Sequence, residues 1–492
     1  MKKVTLIIFC FCFISVYCLS QEILSFEKQT ELRKLSFSED SLFTSEQLKE
    51  DFIYFYETIL ATHPNPYHAI SKDSFDAKVA DIMKSLDKPM NRREFWLKIA
   101  TFNSCFDAHT NIAIIKETIS VVFDNSKAIL PFGLLMLDSS DNLYFNSKYK
   151  NSLLAGKYIK SINNIHAKQM IDNISSYYSH ENKNILSKIF FSHFSLFYSN
   201  IYGNLDSLRF EYFSNDNEID AYTFYPRKTS TDTITTTQIT QQSKKGLCLS
   251  LYEKESIAII EINSCYHEIL GEHYHEDLEK MMSDITENNI QHLFIDISRN
   301  GGGYSSSIEE ILNFIKTEKK KYYTAFSEIR MSPVSCENSF NCKNFSDCLK
   351  KHKKQLYETS DGMIMIKQNW FWKKKKTNVQ YNQNLYLIQS ELTASAAVDL
   401  ASIVKAYKFA TIIGQETGGL TGCYISSPSF AMPNTLITFS CSVQKSINVG
   451  GAMDGRGVLP DIEYEIENPY KSFTLEQLKE MLQLVEKQKG KQ

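Results

Sequence analysis

The sequence lacks the marks of several large functional classes. Its 492 residues carry a net charge of only −3, too little to draw in a polyanion, and no basic stripe with interleaved aromatics is present. After the N-terminal stretch, no segment approaches the ~20 consecutive apolar residues of a spanning helix. No Cys-x-x-Cys pair occurs among its 11 cysteines, which makes a zinc site a weak reading. The run Gly301-Gly302-Gly303 lacks the Lys-Ser/Thr pair of a phosphate-binding loop and does not fit the dinucleotide fingerprint. No G-x-S-x-G elbow surrounds Ser395, which argues against a lipase or esterase. No internal repeat is visible.

What is present is globular. A hydrophobic share of 43% with 23% charged residues suits packed domains, and the length calls for two or three. Lys2 and Lys3 precede an apolar stretch from Val4 to Cys18, and Cys18-Leu19-Ser20 forms a small-x-small site ahead of Gln21. This is the pattern of a secretory signal, so export to the periplasm or the extracellular space is expected. Cys18 is also a candidate for a lipid anchor, which the bulky Tyr17 before it disfavours. Export implies an oxidising compartment. Local disulfides are then expected among Cys336, Cys342 and Cys348, and a bridge between neighbouring strands from Cys423 to Cys441. Lys373 to Lys376 follow Trp370-Phe371-Trp372; a membrane-surface patch is one reading, a solvated loop or strand end the simpler one.

Leu48, Phe52, Phe55, Ile59 and Leu60 share a helical face with Ser45 as its N-cap, and the run stops at His63-Pro64. Further helices are predicted over 73–86 and 91–105. Residues 120–225 read as β-rich with one helix, and Thr229 to Lys245 as a linker. From Gly246 strands and helices alternate: Ile257–Ile262, His273–Asn288, His292–Ile297, Ser305–Lys316, Asn384–Ile388, Ala394–Tyr407 and Ala410–Gly414. That order predicts a layered α/β domain with its site at the strand C-ends.

Four stretches carry reactive chemistry. In Thr393-Ala394-Ser395-Ala396-Ala397 a hydroxyl sits where a strand turns into a helix, beside free N–H groups and the positive end of the helix dipole. A Thr/Ser pair that merely caps a helix is the commoner use of such a run. Asp296-Ile297-Ser298-Arg299-Asn300 leads into the three glycines, a backbone without side-chain cover that suits cradling a peptide or holding an oxyanion. His109 is a candidate base for the serine. Asp454, in the Gly-rich turn ending at Asp461, is a candidate for orienting the imidazole. A fifth cluster, from His267 to Asp277, has metal-ligand residue types but reads as a solvated helix start.

Taken together, DISRNGGG, TASAA, GQETGG and DGRGVLPDI, in this order over about residues 250–465, resemble the tail-specific protease family. That family of serine peptidases includes the C-terminal processing peptidases and the tricorn protease core. HPNPY through DAHTNI resembles the N-terminal region of the tricorn-like branch, and GKYIKSINN the strand and turn of a degenerate PDZ-type domain. The resemblance implies an α/β (α+β, multidomain) fold. Its parts are a signal peptide at 1–20, a linker at 21–42, a helical domain at 43–118 and a PDZ-like β-rich domain at 119–228. A crotonase-like (ClpP/crotonase) catalytic domain at 246–468 and a terminal helix at 469–492 complete it.

The processing peptidases of the family use a Ser/Lys dyad, but the loop Thr417-Gly418-Gly419-Leu420-Thr421-Gly422 holds no lysine, and Lys405 and Lys408 read as solvent-facing. The resemblance therefore implies the Ser/His arrangement: Ser395 as nucleophile, His109 as base and Asp454 in the place of a family glutamate. Ala108 stands where a serine precedes the histidine in that branch. Ala396 N–H and Gly302 N–H, or Gly301 in its stead, would form the oxyanion hole. The expected activity is hydrolysis of peptide bonds in a peptide or protein substrate, without cofactor or metal and with no nucleic-acid partner. The alternative is an inactive relative that binds a peptide or hydrophobic ligand.

Overall fold

The computed structural model describes residues 41–118, 135–138, 140, 142–146, 154–179, 194, 196–203, 207–214, 218–225, 246–339, 344–466 and 471–490. The signal-like segment, Cys342 and the Thr229–Lys245 stretch lie outside the described residues. Among the described residues no helix is long and apolar enough to cross a membrane.

The N-terminal part is helical. The helix Ser45–Thr62 is capped by Thr44, not Ser45, because Thr44 holds the extended backbone a cap requires and exchanges bonds with Gln47 in a capping box. The Ser45 hydroxyl is used elsewhere, on Leu86 O. His63 ends the helix, as the residue before Pro64 is pushed out of the α region. Helices Lys72–Ser85 and Arg92–Ile99 follow, the latter tightening into a 3-10 turn over Ala100–Cys105. Phe52, Phe55, Phe75, Phe102 and Phe106 pack ring edge to ring face between them, and this core continues to Phe439 near the other end of the chain.

A six-stranded sheet forms the C-terminal half, in the order Leu247–Tyr252, Ile257–Ile262, His292–Asp296, Asn384–Gln389, Thr411–Gly414 and Ile462–Glu463. All neighbours pair parallel except the first two. The apolar runs of these strands are explained by burial on both faces. Ala258, Ile260 and Ile262 enter one core with the helices Tyr274–Glu287, Ser305–Asn313 and Ala396–Tyr407; Ile257 and Ile259 enter a second, closed by Leu475–Lys489.

Five smaller sheets accompany this layer among the described residues, three of them with more than two strands. One is antiparallel with five strands, built on the long pair Lys321–Arg330 and Ile364–Lys373, with Leu356–Glu358 at one edge and Gln444–Asn448 and Gly422–Ile425 continuing the other side. Lys373 is the last residue of its strand, so the lysine run is a strand end. A four-stranded sheet over Ile159–Phe224 packs with the helix Ala167–Ser175. The third joins distant parts of the chain: Asn111–Ile112 pairs with Thr438–Ser440.

The expected Cys423–Cys441 bridge is not formed; both are thiols. The two residues belong to segments with different neighbours. Cys423 faces Ser446 across a sheet, while Cys441 is buried in the aromatic core that reaches the N-terminal helices. Cys348 is disulfide-bonded.

Candidate active site

Ser395 stands at the C-terminal edge of the six-stranded sheet, between the strand Asn384–Gln389 and the helix Ala396–Tyr407. The turn before it is tied down at several points. Ser390 N–H donates to Thr393 Oγ1 (3.0 Å), and the Thr393 hydroxyl donates to Ile297 O (2.9 Å). Ala394 N–H reaches Asn300 O (3.0 Å), and Gly419 N–H reaches Thr393 O (3.0 Å). Between these anchors Ser395 takes φ 51° and ψ −127°, a conformation that costs a non-glycine residue about 1–3 kcal/mol and persists only where its surroundings enforce it. No elbow motif announces this turn, yet its effect is that of one: the hydroxyl is held at the head of a helix.

The glycine motifs explain themselves at this point. A Cβ on Gly302 would lie 2.6 Å from Ser395 Cβ and 3.0 Å from Ala396 N. One on Gly419 would lie 3.0 Å from Ser395 N and 2.8 Å from Ala394 Cα. Both loops therefore close on the serine from different sides, and only glycine permits the approach. The helix-opening amide of Ala396 has no protein acceptor, as expected of a first-turn N–H. Gly302 N–H, the other expected oxyanion donor, is instead engaged by Asn300 Oδ1 at 2.8 Å. Its neighbours Gly301 and Gly303 have amides that donate to no protein acceptor.

His109 arrives from the N-terminal part. Its carbonyl accepts from Ser440 Oγ (2.8 Å) and its N–H donates to Asp107 Oδ1 (2.9 Å). The imidazole shares a hydrogen bond with the backbone of Tyr424, while Nδ1 is buried without a partner. Tyr424 belongs to the strand Gly422–Ile425 that directly follows the Gly419 loop, so the histidine and the serine turn are joined by a few residues of one segment. Burial pushes the imidazole below its ordinary value of 6.5, only partly offset by the Asp107 charge and the Tyr424 backbone. No hydrogen bond links Ser395 to His109.

Asp107 is the residue sequence reasoning passed over as a functional group. Its carboxylate is fully enclosed and accepts from His63 Nε2 (2.9 Å), Ser442 Oγ (2.8 Å) and the His109 amide. His63 Nδ1 accepts from Asn65 N–H (3.0 Å), which makes Nε2 the donor to Asp107. Burial opposes its ionisation, but the hydrogen bonds from His63, Thr110 and Ser442 outweigh it and bring the carboxyl down to about 2. The HPNPY and DAHT motifs thus meet here. The signal available in sequence was their pairing, a histidine before a proline and an aspartate two residues before the candidate base.

Asp454 is not brought to the imidazole. It is exposed, and its Oδ1 accepts from Arg456 N–H (3.0 Å) within its own turn. Arg456 in turn pairs with Glu416, and Gly457 N–H bonds Glu416 Oε1. Lys405 pairs with Asp461 and Lys408 ends the helix in the left-handed region; both are exposed, away from Ser395. Of the three histidines in the 267–277 cluster, His267 contacts Ser306 and His275 pairs with Glu310. Among the described residues no group of three metal-ligating side chains is found.

Comparison with known proteins shows what the chain is similar to. No curated protein matches the sequence. The solved structure of mature CPAF aligns with a TM-score of 0.55 at 12% identity, covering 85% of this chain and 92% of that one. Mature CPAF complexed with lactacystin aligns at 0.54 and 12% identity, covering 85% and 94%. These likenesses show a shared fold. The photosystem II D1 C-terminal processing protease aligns at 0.43 with 12% identity, over 86% of this chain and 94% of that one. The model of peptidase family S41 matches residues 256–464, the span that holds the glycine loop, Ser395 and the Asp454 turn, so this part of the chain carries the sequence pattern of that family of serine peptidases.

Proposed function

We propose that the chain is an exported peptidase in which Ser395 attacks the peptide carbonyl and His109 accepts its proton and returns it to the leaving amine. The observation that carries this reading is the backbone of Ser395, held at φ 51° with Gly302 and Gly419 closed upon it. A helix cap does not need that conformation; a hydroxyl presented to substrate does. Burial keeps His109 neutral, as a base must be. Ala396 N–H, free at the helix head, is the first oxyanion donor. The second comes from the glycine loop, either Gly302 once it leaves Asn300 or an adjacent amide; each such donor is worth about 3 kcal/mol of barrier.

The acid of the site is assigned differently from the sequence reading. Asp107 is ionised, enclosed and two residues from His109, so its charge is placed to stabilise an imidazolium. Asp454 is exposed and spends its Oδ1 on the Arg456 amide. The four-stranded sheet over Ile159–Phe224 fits the expected PDZ-like domain, and the six-stranded layer the crotonase-like one. Because Ser395 and His109 are not hydrogen-bonded here, a second reading, a non-catalytic ligand-binding relative, has one observation in its favour.

Fluorophosphonate labelling of the protein, of Ser395→Ala and of His109→Ala, followed by mass mapping, separates the two. Labelling at Ser395 that depends on His109 supports the peptidase. A folded protein that takes no label at Ser395 supports the binding protein.

A further inference from the structure

Most large apolar side chains of the described residues are buried; twelve are exposed. Of these, Tyr266 and Tyr304 are in contact, and Ile269 lies one turn after Tyr266, its N–H donating to Tyr266 O (3.0 Å). Tyr266 is 48% exposed, Ile269 50% and Tyr304 43%. The Tyr266 and Tyr304 rings meet edge to face at 5.4 Å, and His267 stacks on Tyr304 at 5.1 Å. The cluster is braced by polar contacts at its rim: Tyr304 OH donates to Glu268 Oε1 (3.1 Å) and His267 Nε2 meets Ser306 Oγ (3.1 Å).

Its position relative to Ser395 follows from two consecutive glycines. Gly302 is pressed against Ser395, and Gly303 against Tyr266, where a Cβ would lie 2.5 Å from Tyr266 N. Cys265 N–H donates to Gly302 O (2.8 Å) and Tyr304 N–H to Cys265 O (3.0 Å), so the two segments run side by side. Those contacts put Tyr266 N no more than about 12 Å from Ser395 Cβ, given Cα–Cβ bonds of about 1.5 Å and a Cα spacing of about 3.8 Å. An extended peptide advances about 3.4 Å per residue. A substrate whose carbonyl lies at Ser395 and whose chain follows the glycine loop reaches the Tyr266 backbone, which carries the first ring, within about four residues.

We propose that Tyr266, Tyr304 and Ile269 form a substrate subsite that selects peptides with a bulky apolar or aromatic side chain on one side of the cleaved bond. The inference rests on the peptidase reading of Ser395 and adds the substrate class to it. Rings held exposed by their neighbours bury area on contact at little entropic cost, and the rim of His267 and Glu268 keeps the patch wet when empty.

The test is binding, which needs no turnover. Fluorescein-tagged Gly/Ser-rich peptides carrying a single Phe, stepped along the chain, are titrated into the Ser395→Ala protein and read by anisotropy. At one register the Phe peptide is expected to bind about tenfold more tightly than the all-Gly/Ser peptide. Tyr266→Ala and Tyr304→Ala, each added to Ser395→Ala, should remove most of that advantage, and Tyr304→Phe should keep it. Equal affinity at every register, or an advantage untouched by both alanine variants, overturns the subsite. Labelling of the native serine is scored separately, so loss of the subsite with labelling intact leaves the peptidase standing, and absence of labelling fails the nucleophile alone.

Discussion

At the scale of single residues, the site turns on how much work backbone conformation does. Gly302 shows it most directly. A methyl group there would meet Ser395 Cβ at 2.6 Å and Ala394 O at 2.8 Å, and the residue holds φ 101°, so alanine is both crowded and strained. Gly302→Ala is expected to cut the labelling rate at Ser395 by about a hundredfold or more, the loss seen when one oxyanion donor is removed. A circular-dichroism melt within a few degrees of native would show that the loss is local; labelling at the native rate would show that the loop plays no part.

Asp107 and Asp454 can be ranked at the same scale. Asp107 is enclosed and raises the His109 imidazole, whereas Asp454 is exposed and bonded to its own turn. Asp107→Asn should therefore lower kcat/KM much more than Asp454→Asn, by about 10²-fold or more. The pH profile gives a sharper readout. Burial sets the acid limb of kcat/KM below 6.5, and removing the Asp107 charge should move that limb lower still. A limb that stays in place, or a larger loss with Asp454→Asn, would return the acid role to Asp454.

At the scale of elements, base and nucleophile come from parts of the chain that must dock. The helix Ser45–Thr62 buries Asp51 against the loop after Ala431, where it accepts from the amides of Asn434 and Thr435, both at 2.7 Å. The short strand Asn111–Ile112 pairs with Thr438–Ser440, and Ser442 reaches Asp107. Removing the Asp51 carboxylate leaves buried amides unpaired at about 1–3 kcal/mol each. Asp51→Ala should lower the denaturant midpoint and weaken His109-dependent labelling, while the far-ultraviolet signature of the six-stranded sheet is kept. Much of this layer was legible in advance. The apolar strands from Ile257 to Gly414, the capped first helix and the serine turn all carried local signals that the fold obeys. The pairing of Asn111 with Ser440 carried none, since two- and three-residue strands have no periodicity and their partner is remote. The long antiparallel pair Lys321–Arg330 with Ile364–Lys373 carries charged and polar residues that break the apolar alternation, and its few buried side chains pack remotely, Tyr322 and Trp372 in the core of the six-stranded layer and Ile329 and Ile366 with Cys336 and Cys348. The Cys423–Cys441 bridge failed for a related reason: nearness in sequence said nothing of which sheet each segment joins.

At the scale of the whole molecule, buried carboxyls of opposite tendency set how stability varies with acidity. Asp107, on the seam between the two halves, is lowered to about 2, its ionised form held by His63 despite burial. Its contribution is therefore present above the unfolded value of about 3.9 and is lost as pH falls through about 2. A displacement of that size corresponds to about 2 kcal/mol. Asp296, at the end of its strand, has the reverse sign: burial raises it to about 6, against weaker help from Ser298 and Arg299. In the window from about 4 to 6 the folded state then holds a proton the unfolded chain has released, so ionising Asp296 as pH rises costs stability. The urea midpoint should climb from pH 2 to about 4 on account of Asp107, and the climb should flatten in Asp107→Asn. Between pH 4 and 6 Asp296 pulls the midpoint down while buried His109, easier to keep neutral as pH rises, pulls it up. Asp296→Asn isolates its share: the variant's midpoint should rise more steeply than the native protein's across that window. Parallel curves would mean that the Asp296 carboxyl is ionised in the folded sheet, with Arg299 as its effective counter-charge.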